Sequence, residues 1–320
     1  MPPMHDDPAH AATASAPAGV GNIGVGFDLL GHVFDGPGDV AVVRRIDEPV
    51  VRIDTITGDA PGVEKIPLEA AANTAGRALM ALREGLGLAH GFAIKLDKGI
   101  PLGSGMGGSA ASCVAALVAA NALLETPLPA QALYPFALDG ESVASNSRQG
   151  DNVAPMLMGG AVLATADRII PLRVPGWLHC VVVHPGQVLE TRRARAVLAE
   201  PYPLREITAH SACLAQFLLG LERADEGLLR AGLHDLLLEP RRAPLVPGFA
   251  QVKAAALDHD ALGASLSGAG PAVFAWFASR AGAEAAAPAM RAAFQSAGFP
   301  ARSWVSPVAA PGAGLIESAT

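Results

Sequence analysis

The sequence predicts an α+β protein of two domains, on three observations. Strand-like and helix-like stretches mix in both halves of the chain rather than segregating. The 320 residues suit two units at roughly 100–200 residues each. Apolar residues make up 51% of the chain and charged ones 17%, which is enough to build real cores and too apolar for disorder. Aromatics are only 5%, so those cores must be mostly Ala, Val and Leu.

Residues 1–12 read as a disordered lead-in. The opening stretch carries Asp6 and Asp7 and no apolar run of the kind a signal peptide needs. Residues 40–43 and 50–54, rich in Val and Ile, read as short strands. Residues 70–86 place Arg77, Arg83 and Glu84 at helical spacing among Ala and Leu and read as a helix ended by Gly85 and Gly87. Residues 91–96 alternate as a strand, and 110–124 form an apolar helix with no breaker. A further helix over 133–145 carries Glu141, and 159–164 read as a strand. Prolines and a change of pattern near 168–175 place a boundary there, dividing 13–170 from 171–320. In the second half, 179–184, 272–277 and 301–305 read as strands. Residues 191–199, 208–221, 225–238, 249–259 and 281–297 read as helices, and a second Gly-rich turn follows 264–267. No internal repeat is visible.

Charge and cysteine usage exclude several functions. The formal net charge is −7 with no Lys/Arg cluster, a poor match for nucleic acid, whose phosphates must be neutralised. Phosphate can still bind, because a nest of backbone N–H groups needs no net positive charge. Cys113, Cys180 and Cys213 are widely spaced and form no CxxC pair, as expected of buried thiols in a reducing cytoplasm. The nine histidines show no metal-ligand spacing. The longest apolar runs, such as 113–124, are far short of a membrane span.

The informative segment is Pro101-Leu102-Gly103-Ser104-Gly105-Met106-Gly107-Gly108-Ser109-Ala110-Ala111-Ser112. Its glycines let a ligand approach the main chain closely. It leads from a strand into a helix, whose N-terminal N–H groups and partial positive charge attract anions. Ser109 stands at the helix mouth, where a hydroxyl can cap the helix or ligate magnesium. The loop is not a Walker A loop, since no Gly-Lys-Ser/Thr follows. It is not a dinucleotide fingerprint either, since Glu125 ends a helix instead of a second strand. A flexible Gly/Ser turn is the plain alternative, and the flanking strand and helix argue against it. The expected ligand is ATP, in a small-molecule kinase.

Two other segments line up with this loop. One runs from Ala16 to Gly31 and contains Gly19, Gly21, Asn22, Gly24, Gly26, Phe27 and Asp28. The other is Ser265-Leu266-Ser267-Gly268-Ala269-Gly270-Pro271-Ala272-Val273-Phe274. In this order and spacing the three resemble the motifs of the GHMP kinase superfamily over nearly the whole chain, from about Ala14 to Val305. Four features resemble the homoserine kinase family within it. They are Asn22 with Phe27-Asp28; Asp151-Asn152-Val153-Ala154-Pro155 followed by Gly159-Gly160; Thr191 with Arg195; and Glu239-Pro240-Arg241-Arg242 followed by Leu245-Val246-Pro247-Gly248-Phe249. The resemblance implies a ribosomal-protein-S5-like N-terminal, ATP-binding half over 13–170, a ferredoxin-like C-terminal half over 171–320, and ATP between them.

It also implies roles. The substrate would be L-homoserine, phosphorylated on its side-chain hydroxyl by ATP with magnesium, for threonine biosynthesis. Asn22 and Asp28 would contact the amino acid, Asp28 taking the ammonium. Arg195 and Arg242 would take the carboxylate, for which a planar guanidinium fork is suited. A solvated helix face beside Arg192 and Arg193 is the plainer account of Arg195, and Arg241 is a stand-in for Arg242. Asn152, Asp151 and Gln149 form the candidate catalytic set, Asn152 on the hydroxyl or moving phosphoryl group and Asp151 as an orienting group. Ser109 and Glu141 would ligate magnesium, and Gly268 and Gly270 would close over the triphosphate. Homodimers are common in the family.

Two departures stand out. Gln149 occupies the position where the family usually has His, and an amide cannot titrate near neutrality. Gly107-Gly108-Ser109 replaces the commoner Gly-Ser-Ser, removing one hydroxyl while leaving the backbone nest. Another GHMP kinase of sugar, mevalonate or shikimate type is the alternative enzyme, and a weakly active nucleotide-binding relative is the alternative of a different class.

Overall fold

The computed structural model describes residues 10–145 and 148–317. Residues 1–9 of the expected lead-in lie outside the described residues. Strand β1 (Ala11–Gly21) begins at once and pairs antiparallel with β2 (Leu30–Ile46), the register shifting between Pro17 and Gly19. Ala14, Ala16, Ala18 and Val20 are fully buried along one face of β1, the period-2 pattern of a strand lying on a core. From the sequence, no strand is read at β1 and only residues 40–43 of β2. An Ala-rich stretch with Pro17 has weak strand propensity, and Gly36-Pro37-Gly38 interrupts β2, so pairing decides both.

Strand β3 (Val51–Thr57) runs parallel to β4 (Gly91–Lys98), and β4 pairs with β2. Between them, α1 (Thr74–Leu86) starts four residues later than the periodicity suggests. The Asn73 side chain accepts from the Ala75 and Gly76 N–H groups, at 3.0 and 3.4 Å, and so fixes the start. Gly87, left-handed at φ 62°, ends the helix.

Helix α2 (Gly108–Ala122) is buried almost all round, as its uniform apolarity requires. It packs among the sheet, α1, α3 (Tyr134–Ser145) and the short α4 (Val153–Met158). Strand β5 (Ala161–Ala164) adds to β2, and β6 (Ile169–Pro171) to β5.

The second sheet runs β10-β7-β9-β8, all antiparallel, from β7 (His179–Pro185), β8 (Gly263–Leu266), β9 (Val273–Phe277) and β10 (Ala301–Pro307). Its two faces serve different cores. Cys180, Val182, Phe274 and Trp276 join the core of the first sheet. Val181, Val183, Val273, Ala275 and Phe277 pack with residues of α9 (Phe249–Leu257) and α10 (Arg280–Ser296). Strict alternation makes both faces apolar at once. The two halves are joined at His32, whose Nε2 accepts from Trp276 Nε1–H at 3.2 Å while its ring meets Phe274 edge-on.

Around this sheet lie α5 (Thr191–Ala196), α6 (Leu204–Arg223), α7 (Glu226–Gly232) and the one-turn α8 (Glu239–Arg242). The helix read over 225–238 stops at Gly232. There a Cβ would meet the Phe217 nitrogen at 2.3 Å, so α7 lies tightly against α6. The Asp235 carboxylate then accepts from the Leu237, Leu238 and Glu239 N–H groups at 2.8–3.0 Å, starting the next turn. The chain ends by returning to the first sheet, where β11 (Gly314–Leu315) pairs with β1. No helix among the described residues is long and apolar enough to cross a membrane.

Candidate active site

A cleft of about 430 Å³ opens between the first half of the chain and the α5, α8 and Gly268 segments of the second. Its floor is the loop between β4 and α2. Gly103, Gly105 and Gly107 all adopt positive φ, at 59°, 79° and 71°, and left-handed residues at every second position suit a nest, in which successive N–H groups turn to one side. Four successive carbonyls are held from outside the loop. Gly103 O accepts from Leu189 N at 3.0 Å, Ser104 O from Ala272 N at 3.0 Å, Gly105 O from Ser267 Oγ at 2.7 Å, and Met106 O from Gly19 N at 3.1 Å. Three of these donors belong to the C-terminal sheet and its loops, so the second half of the chain sets the shape of the loop. The first N–H groups of α2 have no partners within the helix and face the same cleft.

Lys98, Asp39 and Ser112 lie under the loop. Lys98 Nζ donates to Asp39 Oδ2, to Gly108 O at 2.6 Å and to Ser112 Oγ at 2.7 Å. Asp39 also accepts from Ser112 Oγ and from Ile100 N. All three Lys98 protons are used, so this buried pair braces the junction of β4 with α2. Sequence reading missed it, although the strand register that sets Asp39 opposite Lys98 is the kind of signal a cross-strand charge pair gives.

On the far side, the turn after β1 carries two candidate substrate residues. Asn22 and Asp28 both have left-handed backbones, φ 69° and 58°, and strain of this kind collects at functional sites. Asn22 Oδ1 accepts from Asp28 N at 2.9 Å, and Asn22 Nδ2 donates to Gly268 O at 2.9 Å. Its amide therefore ties the turn to the Gly268 loop. The Asp28 carboxylate pairs with Arg195 on α5, Nη2 to Oδ1 at 2.9 Å and Nη1 to Oδ2 at 3.3 Å. Gln149 donates through Nε2 to Asp28 and accepts at Oε1 from Arg195 Nη2. Arg242, 4% exposed, donates to Ala194 O at 3.2 Å and Gly268 O at 3.1 Å. The guanidiniums of Arg195 and Arg242 both lie over the Phe27 ring, 5.5 and 5.3 Å from its centre, which holds two like charges beside one pocket. Phe27 was visible in the motif, but this role was not.

Asp151 and Asn152 reach the cleft between these two regions, where two glycines leave them room. A Cβ on Gly21 would lie 2.6 Å from Asp151 Oδ2, and one on Gly107 would lie 2.7 Å from Asn152 Oδ1. Burial pushes the Asp151 carboxyl up to about 7, reinforced by the charge of Asp28. Asn152 Oδ1 is buried and has no hydrogen-bond partner among the described residues. Ser109 Oγ donates to Glu141 Oε1 at 3.0 Å, and burial raises the Glu141 carboxyl to about 7. Two hard oxygen donors beside a phosphate loop fit magnesium, which keeps several waters and phosphate oxygens instead of filling a protein cage. No group of three or more His, Cys, Asp or Glu gathers as a metal cage among the described residues.

Nearly all the candidate residues line this one cleft: Asn22, Asp28, Gln149, Asp151, Asn152, Arg195, Arg242, Glu141, Gly268 and the loop residues Pro101–Gly105, Gly107–Ser109 and Ser112. Met106, Ala110 and Ala111 instead turn fully into the core, and Gly270 sits behind the loop against Gly105. Asn73 and Thr74, at the start of α1, line the cleft as well. Sequence reading singled out neither residue, because it began the helix at residue 70.

Comparison with known proteins fits this geometry. Residues 73–160 match the family described as GHMP kinases N terminal domain, and residues 217–296 match GHMP kinases C terminal. The chain is 58% identical over 308 residues to a homoserine kinase of Xylella fastidiosa, covering 96% of this chain and 95% of that one. It is 59% identical over 305 residues to a homoserine kinase of Xanthomonas campestris pv. campestris, covering 95% and 94%. The crystal structure of a homoserine kinase from Cytophaga hutchinsonii superposes with a TM-score of 0.92 at 37% identity, over 98% and 99% of the two chains. A mevalonate kinase of L. major shares the fold at 16% identity and a TM-score of 0.67. A glycine nest clamped by the second half of the chain, a paired Asp28 and Arg195 across the cleft, and relatives this similar over nearly their full length place the chain in the homoserine kinase family of the GHMP kinases.

Proposed function

We propose that the protein transfers the γ-phosphoryl group of ATP to the side-chain hydroxyl of L-homoserine, giving O-phospho-L-homoserine and ADP. The observation that carries this reading is the juxtaposition of Asp28 and Arg195 across the cleft from the phosphate nest. An amino acid zwitterion needs one carboxylate and one guanidinium at that spacing, whereas a sugar needs neither. Asp28 takes the ammonium. Arg195 takes the carboxylate, with Arg242 beside it.

Phosphoryl transfer passes through a loose transition state, so positioning and charge stabilisation supply most of the rate. The nest and the N-terminus of α2 hold the phosphates. Asn152 Oδ1, buried without a protein partner among the described residues, accepts the substrate hydroxyl and aims its oxygen at the phosphorus. Asp151 orients Asn152 and stands ready to accept the proton. Ser109 and Glu141 hold magnesium, which when bound neutralises charge on the phosphate oxygens. Gly268 and Gly270 keep the C-terminal loop close over the nest. The domains of this reading are 13–170 for ATP and 171–320 for the closing half, in a cytoplasmic enzyme of threonine biosynthesis that works as a homodimer, which sedimentation checks.

A coupled ADP-release assay with magnesium and ATP tests the reading across L-homoserine, mevalonate, galactose and shikimate. Release with homoserine alone is the expected result. Release with any of the others instead would overturn the roles given to Asp28 and Arg195.

A further inference from the structure

Asp28, Gln149 and Arg195 come from three separate elements, the turn after β1, the segment before α4, and α5. They close a ring of hydrogen bonds with one another. In that ring the Asp28 and Arg195 charges already neutralise each other, and Gln149 touches both. Resting on the function proposed above, we propose that Gln149 is a positioning residue for the substrate: its amide keeps Asp28 and Arg195 paired before the substrate binds and in register when the substrate's ammonium and carboxylate replace that pair.

The amide suits the task by its chemistry. It presents one donor face and one acceptor face, matching a carboxylate on one side and a guanidinium on the other. A carboxylate at position 149 would oppose Asp28 with a like charge. An apolar side chain would leave both partners short of a contact. An imidazole could serve both only while neutral, because on taking a proton it loses its acceptor toward Arg195. The exchange also sets specificity. A ligand with a single charge breaks the Asp28–Arg195 pair and leaves one member facing the cleft unpaired, which is costly where water is partly excluded. A zwitterion replaces both contacts at once.

Several other ionisable groups stand near Gln149. Asp151 follows two residues along the chain, Arg148 pairs with Asp139 at the surface on its other side, and Arg242 faces the pocket across Phe27. A pH profile of the native protein therefore reports several groups together. For that reason the test rests on differences between variants.

Gln149→Leu and Gln149→Glu are assayed with L-homoserine and with its methyl ester, which keeps the ammonium and lacks the carboxylate. The KM for homoserine should rise at least about fivefold in both variants, the effect of losing a hydrogen bond to a charged group. The KM for ATP should move by less than about twofold, and the preference for homoserine over the ester should narrow. Gln149→His should restore the homoserine KM at pH 8.5 and lose it again at pH 5.5, a dependence steeper than the native one. The His variant also carries the test alone should Gln149→Leu fail to fold. A smaller rise in the homoserine KM, or a parallel loss in kcat and both KM values, overturns the inference. If the native protein turns over a different alcohol and not homoserine, the function reading fails and this inference goes with it. Native turnover of homoserine with unaffected variants sinks this inference alone.

Discussion

At the scale of single residues, the proposed reaction gives two neighbours in the chain distinct duties. Asn152 offers a buried amide oxygen that no described protein group satisfies, and buried polar atoms rarely go unpaired without a reason. Asn152→Ala should lower kcat about a hundredfold, the usual cost of removing one preorganised polar contact to a transition state. The KM for ATP should stay near its native value in the same steady-state assay. Asp151 is held at a pKa of about 7 by burial and by Asp28. An acceptor role needs the ionised form, so kcat should climb as pH rises through about 7. Asp151→Asn should make that limb of the kcat profile shallower, measured from pH 5.5 to 9, and leave the part owed to Glu141, which burial also raises to about 7. Most of these residues were legible in the sequence because short-range motifs announce them. Phe27 shows the limit, since its two arginines lie 168 and 215 positions away in the chain and no local pattern records that both stack on it.

At the scale of elements, the phosphate loop is shaped from two directions. Above it, Ser267 Oγ donates to Gly105 O and is fully buried. Ser267→Ala should raise the KM for ATP about five- to tenfold, the loss of one buried hydrogen bond, and leave the KM for homoserine nearly unchanged. Below it, the side chains of Lys98 and Asp39 are 3% and 0% exposed. Lys98→Met strands a buried carboxylate and should lower stability by about 3–5 kcal/mol, read from the urea midpoint. Adding Asp39→Leu should recover part of that loss, because removing both charges costs less than removing one. The loop itself was legible as strand, glycines and helix. Its braces were not, since a lysine in an alternating strand reads equally well as solvent-facing. The end of α1 was legible at Gly87, while its start at the Asn73 cap was read four residues early. The turn at Gly232, set by close packing on α6, did not show in the periodicity of 225–238.

At the scale of the whole molecule, the two sheets meet at His32, fully buried, with Nδ1 on Val33 O and Nε2 on Trp276. Burial lowers its pKa from 6.5 to about 4. In the unfolded chain the imidazole takes up a proton near 6.5, while the folded form resists until about 4. The stability this neutral histidine supports is thus complete above pH 6.5 and drains away as pH falls toward 4, by about 3 kcal/mol in all. Denaturant unfolding of the native chain and of His32→Gln at pH 7.5 and 4.5 should show a smaller acid loss in the variant.

By itself the sequence determined the α+β class, the order of most elements, the three glycine-bearing motifs and the chemistry of the pocket residues, because each is written in neighbouring residues. The tertiary structure alone decided the pairings: β1 and β2 as a long hairpin, Lys98 against Asp39, Gln149 between Asp28 and Arg195, and the C-terminal loop clamping the nest. The reason is physical. A dihedral preference or a cap acts within one turn of chain. A contact across hundreds of residues depends on how all the intervening elements pack, and no local pattern carries that information.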